Sequence, residues 1–224
     1  MSEVVITVRG EHETRLLPER AVVQLSIVTE GPERGAVVER IAALTEPVRD
    51  DLIARKEAGG VAAWTSQGAS VWSDRPWSPE GKRLALVHHA SVELTATFTD
   101  FAALSWWAGD AAEREGVQLG GIDWQLTPET RAAAERQVAT DAVAVAVTRA
   151  TAYATALGLT SVTPLELADV GLLSHDTRES APAPMMMKAA RAFAADSAGG
   201  GPALQFQPEE ITVASAVEAR FSAR

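Results

Sequence analysis

Four histidines, six tryptophans, three carboxylate pairs and a run of three methionines are the residues of this chain best equipped for catalysis, ligation or contact. His88 and His89 are adjacent in a strand-like run, so their side chains point to opposite faces and cannot chelate one metal ion. His12 and His175 lie in unrelated segments. His88 falls on the apolar face of its strand, which suits a hydrogen-bonded core residue. Asp50-Asp51 sits on a helical surface and Glu209-Glu210 at a strand start. Glu11 and Glu13 share one strand face and form the best geometric pair for acid/base work. Solvated charge accounts for all three pairs. No serine occupies a Gly-x-Ser-x-Gly elbow, and there is no Gly-x-x-x-x-Gly-Lys-Ser/Thr loop. Gly199-Gly200-Gly201 is followed by proline rather than by a phosphate-binding helix. These readings point to no cofactor, no metal and no catalytic constellation.

The tryptophans carry more information. Trp64, Trp106 and Trp124 are expected in the core. Trp72 and Trp77 flank a hairpin tip rich in Asp, Arg, Pro and Ser, where a core has little use for them. Trp77 reads either as an interface anchor or as a loop residue folded back on its own hairpin. Met185, Met186 and Met187 lie in a stretch bounded by proline and glycine. Methionine suits adaptable contact surfaces, although such a stretch equally suits disorder.

Twenty Lys and Arg stand against thirty Asp and Glu, a net charge of -10. That field repels phosphate backbones and anionic membrane surfaces, so neither nucleic acid nor membrane is an expected partner. The longest apolar run, Ala142 to Val147, is too short to span a bilayer. The absence of cysteine excludes disulfides and thiolate chemistry. The N-terminal residues have no basic n-region or apolar h-region, which points to a cytoplasmic location.

Hydrophobic periodicity places the elements that must position these residues. Val4, Ile6 and Val8 open a strand reaching about Leu16. Ala21, Val23, Leu25 and Ile27 form a second, and Pro18-Glu19-Arg20 suggests an N-terminal hairpin between them. Val37, Ile41, Leu44, Val48 and Leu52 have helical spacing, with Pro47 expected to bend or split the helix. Val61 to Val71 reads as a strand, and residues 73–82 as a hairpin loop. The return strand is the clearest in the chain, with Leu84, Leu86, His88, Ala90, Val92, Leu94, Ala96 and Phe98 on one face. Thr99-Asp100 caps a second helix. After a strand at 117–126, Thr127-Pro128-Glu129 starts an alanine-rich helix. Its expected packing stripe is Ala134, Val138, Ala142, Val145, Ala152 and Ala156. A strand over 162–172 follows.

Residues 174–204 abandon every period, and alternation then resumes from Gln205 to Phe221. A lone strand is unstable in water, so this one must join an existing sheet, and the intervening stretch is a loop out of one folded unit. The order is ββα-ββα-βαβ-β. Hairpins imply antiparallel or mixed pairing with about three helices, an α+β fold over residues 1–224 as a single domain or two packed subdomains.

The ordered words of the chain resemble the SIMPL-domain family, a widespread group of unknown function. The matching words are Ile6-Thr7-Val8-Arg9-Gly10-Glu11, Pro18-Glu19-Arg20-Ala21, and Trp64-Thr65-Ser66-Gln67-Gly68-Ala69-Ser70. Gly116 to Ile122 and Gln207-Pro208-Glu209-Glu210-Ile211-Thr212-Val213 complete them. The last word departs from the family, which usually has glycine before the glutamate. Most relatives also carry a secretory signal, and the N-terminal residues here are not expected to form one. The resemblance implies an α+β fold, self-association into large assemblies in some envelope members, and a loose link to stress. It brings no catalytic residues.

The first expectation is therefore a non-enzymatic, self-associating protein, a homo-oligomer with room for a protein partner. Its contact residues would be Trp72, Trp77 and Met185 to Met187. A second is a small-molecule or peptide-binding module with a tryptophan-lined cleft. A third is a hydrolase using Glu11, Glu13 or His89.

Overall fold

The structure, a computed structural model, describes residues 3–173 and 206–224. They form three helices and eight strands, with every strand pairing antiparallel, so the fold is α+β. In chain order the elements are β1 (Val4–Leu16), β2 (Arg20–Gly31), α1 (Arg34–Glu57), β3 (Val61–Ser66), β4 (Ser70–Asp74) and β5 (Val87–Phe98). Then come α2 (Phe101–Ala112), β6 (Val117–Gln125), α3 (Pro128–Ala156), β7 (Val162–Asp169) and β8 (Ile211–Ala223). Met185, Met186 and Met187 lie outside the described residues.

The chain divides into two compact units, each with its own sheet. β1 and β2 fall in different sheets, so the expected N-terminal hairpin does not form. Alternation specifies that a strand has one buried face; it does not choose the neighbour that completes its hydrogen-bond ladder. β1 takes β8 as its neighbour, in continuous register from Val4↔Ala223 to Leu16↔Ile211. β2 pairs with β5 on one side and β6 on the other.

The larger unit has strand order β3-β5-β2-β6, with β4 also on β5. The strand expected over residues 61–71 is broken at 67–69 into β3 and β4. Both lie on the same side of β5, joined across the break by Gln67 N–H donating to the Glu93 carbonyl at 2.8 Å. Alternate residues of β2 (Ala21, Val23, Leu25, Ile27) and β5 (Ala90, Val92, Leu94, Ala96, Phe98) are buried. The helices cover that face. α1 contributes Val37, Ile41, Val48 and Leu52, and continues through Pro47 without splitting. α2 starts at Asp100, whose carboxylate accepts from the backbone N–H groups of Ala102 and Ala103 at 2.9 and 3.1 Å. Its buried line is Leu104, Trp107, Ala108 and Ala111, the i, i+3, i+4, i+7 set. Trp107, not Trp106, is the core residue; its ring lies 5.0 Å from Phe98, and Trp106 is exposed. Two adjacent tryptophans on a helix sit about 100° apart, so only one can face the sheet.

The smaller unit has strand order β1-β8-β7, with α3 packed on β1 and β8. β8 is the central strand, so the final segment does return to a sheet begun at the N-terminus. Pro164, which cannot donate to a ladder, sits on the edge strand β7 beside a register shift. Thr127 caps α3 by accepting from Thr130 N–H at 3.2 Å, and Gly158 at φ +76° follows its end. The buried stripe of α3 is Ala134, Val138, Ala142, Ala146, Ala150 and Ala154. It keeps the first three expected positions and replaces Val145, Ala152 and Ala156. A step of four advances about 40° around a helix. The contact line therefore winds, as a helix following twisted strands requires.

Gly10 marks the closest approach. A Cβ built there would lie 2.0 Å from the Ala142 carbonyl oxygen and 2.7 Å from the Ala146 nitrogen. Arg149 seals the contact by donating from Nη1 to the Arg9 carbonyl at 2.7 Å. At the start of β1, Ser222 Oγ donates to Glu3 Oε1 at 2.6 Å, and Arg224 Nη2 lies 3.4 Å from Glu3 Oε2. The serine hydroxyl first, and the guanidinium second, hold the Glu3 carboxyl below its ordinary value of 4.5.

Gly10→Ala is expected to lower stability by about 3 kcal/mol, read as a fall in urea midpoint, because backbone on both sides blocks the methyl group. Gly109→Ala, inside α2 with open space at its Cβ position, is expected to raise stability by roughly 0.5–1 kcal/mol. A carbon-detected NMR titration should find Glu3 ionising below 4.5. Ser222→Ala should move that midpoint upward. The contribution of Glu3 is complete above its unfolded value and is lost as pH falls through its lower folded value.

Candidate functional site

The larger unit carries two features with the makings of a site. The first is the arm between β4 and β5. Trp72 and His89 face each other in register on the side of the sheet away from α1 and α2, and their rings stack with centroids 5.4 Å apart. His89 Nδ1 lies 3.3 Å from Glu30 Oε2, and its Nε2 lies 3.2 Å from Asp74 Oδ1. His88 points the other way and shares a 2.6 Å hydrogen bond with Ser73 Oγ. The opposite-face reading of the two histidines is thus correct, although His88 is half-buried rather than a core residue.

Beyond Asp74 the arm is held by its own backbone. Leu84 N–H donates to the Pro76 carbonyl at 2.9 Å, and Ser78 N–H donates to the Lys82 carbonyl at 2.8 Å. Trp77 and Arg83 form an isolated antiparallel bridge, with the guanidinium 5.1 Å from the indole centroid. Gly81, at φ +75°, makes the turn that lets the tip close. Trp77 is folded back on its own hairpin, with Arg83 over one ring face, and the residue stays 62% exposed. Trp72 is 46% exposed. Leu84 and Leu86, expected on the buried face of the return strand, are exposed instead. β5 begins only at Val87, where β4 supplies its partner Asp74. An apolar face is buried only where another element covers it, and among the described residues none covers Leu84 and Leu86.

The second feature is a groove of about 720 Å³ between α1 and the β3–β4 edge. Val38, Ile41, Ala42, Val71 and Val92 supply apolar surface, and Glu46 and Arg49 the charges. Arg49 lies 6.0 Å from the ring centroid of Trp64. The groove lining itself contains no tryptophan among the described residues. Sequence reasoning missed this groove. Val38 and Ala42 sit one position past Val37 and Ile41, and that widening of the apolar stripe was its only trace.

Two of the three carboxylate pairs take part in ion pairs among the described residues. Glu11 and Glu13 share an exposed face of β1, where Arg9 and Arg15 reach them at 3.3 Å each. Their opposite residues on β8 are Ala216 and Ala214. His12 points to the other face, 3.5 Å from Asp141. Asp51 joins α1 to the end of α2 by accepting from Arg55 Nε at 3.0 Å and Arg114 Nη2 at 3.3 Å. Glu209 and Glu210 precede β8 without regular structure. Among the described residues, no three His, Asp or Glu side chains are grouped to hold a metal ion. No described helix is long and apolar enough to cross a membrane.

These features define a class: an α+β protein with two antiparallel sheets, an aromatic arm and a helix-strand groove. The sequence pattern of the SIMPL family, described as protein of unknown function (DUF541), matches residues 6–221. The chain belongs to that family. No curated protein matches it.

Proposed function

We propose that this chain is a self-associating interaction protein that works by contact rather than by turnover, with the β4–β5 arm as its contact element. The observation that carries this reading is the exposure of four large apolar side chains on one ordered arm, Trp72, Trp77, Leu84 and Leu86. Exposed aromatics on a rigid support make interface anchors, because burying them gains much area for little ordering. Charge favours a second copy as the partner. Residues 70–86 contain Arg75, Lys82 and Arg83 against Asp74 and Glu80, whereas the whole chain carries -10. The arm is therefore the kind of surface that a strongly acidic copy attracts.

Sedimentation velocity at tens of micromolar tests this. The parent chain should sediment as a species larger than its 23.7 kDa monomer. The double variant Trp72→Ala, Trp77→Ala should weaken association at least tenfold while its circular dichroism is unchanged. A parent chain that stays monomeric refutes the reading, as does a double variant that associates equally well.

A further inference from the structure

We propose that the groove between α1 and the β3–β4 edge is a binding site for a small amphiphilic monoanion, an alkyl carboxylate. Its carboxylate rests on Arg49 and its chain lies along Val38, Ala42, Val71 and Val92. The volume of 720 Å³ falls inside the roughly 300–1,000 Å³ range of small-molecule sites, and the surface is mostly apolar with few polar groups, as such sites are.

Arg49 supplies the charge complementarity. Elsewhere on α1, Arg40 pairs with Glu115 and Arg55 with Asp51, while Arg34 and Lys56, like Arg49, have no ion pair among the described residues. Arg49 has no ion pair among the described residues, and its contact is the face of Trp64. A guanidinium beside an indole is held in orientation while its donors stay open to a planar carboxylate. Glu46 borders the same groove. Its charge disfavours a second negative charge on the ligand, which selects a monoanion over a dicarboxylate or a phosphate dianion.

Gly68 adds bare backbone to the groove wall. Its φ is not in the left-handed region, and a Cβ built there would meet no heavy atom within 4 Å. Among the described residues neither backbone strain nor crowding calls for glycine here, and the residue forms part of the groove wall. Bare backbone at such a position allows close approach of a ligand. The N–H groups of Gly68 and Ala69 make no hydrogen bond among the described residues, and so remain donors for a carboxylate oxygen.

Titration with sodium decanoate, followed by nitrogen-15 NMR on the full chain, tests the site. Decanoate should bind saturably with a sub-millimolar Kd and shift Arg49 Nε–H, the Gly68 amide and the Trp64 indole N–H. Arg49→Gln should weaken decanoate at least tenfold and leave 1-decanol unaffected. Gly68→Val, whose side chain enters space that is open in the free protein, should keep the parent melting temperature and lose decanoate binding. The proposal fails if decanoate does not saturate, if the shifts map outside the groove, or if either variant binds decanoate as the parent does.

Discussion

At Gly10 a strand and a helix meet backbone to backbone, with no side chain between them. The smaller unit depends on that contact. A helix can approach a sheet this closely only if both surfaces are nearly bare, so α3 presents alanine at five of its six buried positions, with Val138 as the exception. Dispersion forces make such a contact worthwhile only when many atoms touch. The interface is therefore long: β1 and β8 each run 13 residues, and α3 runs 29. Alanine supplies little area per residue, and the longer side chains come from the strands, as Ile6, Val8, Val217 and Phe221.

The larger unit solves the opposite problem. Its core is built from large side chains, Trp107 and Phe98 among them, and two helices cover one face of its sheet. Between Asp74 and the start of β5 at Val87 the chain forms the self-supported arm, and its apolar residues stay in water. Where α1 stands beside the broken β3–β4 edge, a groove remains that no described side chain fills.

Much of this was legible in the sequence because it follows from local rules. The alternation of Ala21 to Ile27 and of Ala90 to Phe98 marks the two central strands of the larger sheet. Asp100 and Thr127 mark two helix starts, and both side chains do cap. The placement of Trp72 and Trp77 on a hairpin outside the core was readable from the prolines and charges around them. The errors share one cause. Choosing Trp106 over Trp107, continuing the α3 stripe through Val145, and assigning Leu84 and Leu86 to a buried face each require knowing what lies across from the residue. Periodicity states that a face exists; a neighbouring element decides which residues it covers.

By itself, then, the sequence determined the kinds of element and their order, and with them the α+β class. Those rest on backbone preference and on side-chain spacing within a few residues. It also determined that the last segment needed a sheet to join, since an isolated strand cannot hold itself in water. Only the tertiary structure decided that β1 belongs with β8 rather than β2, and that Gly10 must be bare because Ala142 lies against it. The Arg49 groove likewise arises only when α1 and the β3–β4 edge are brought side by side. Each of these depends on contacts between residues far apart in the chain, and in a single sequence no local pattern records which distant partner wins.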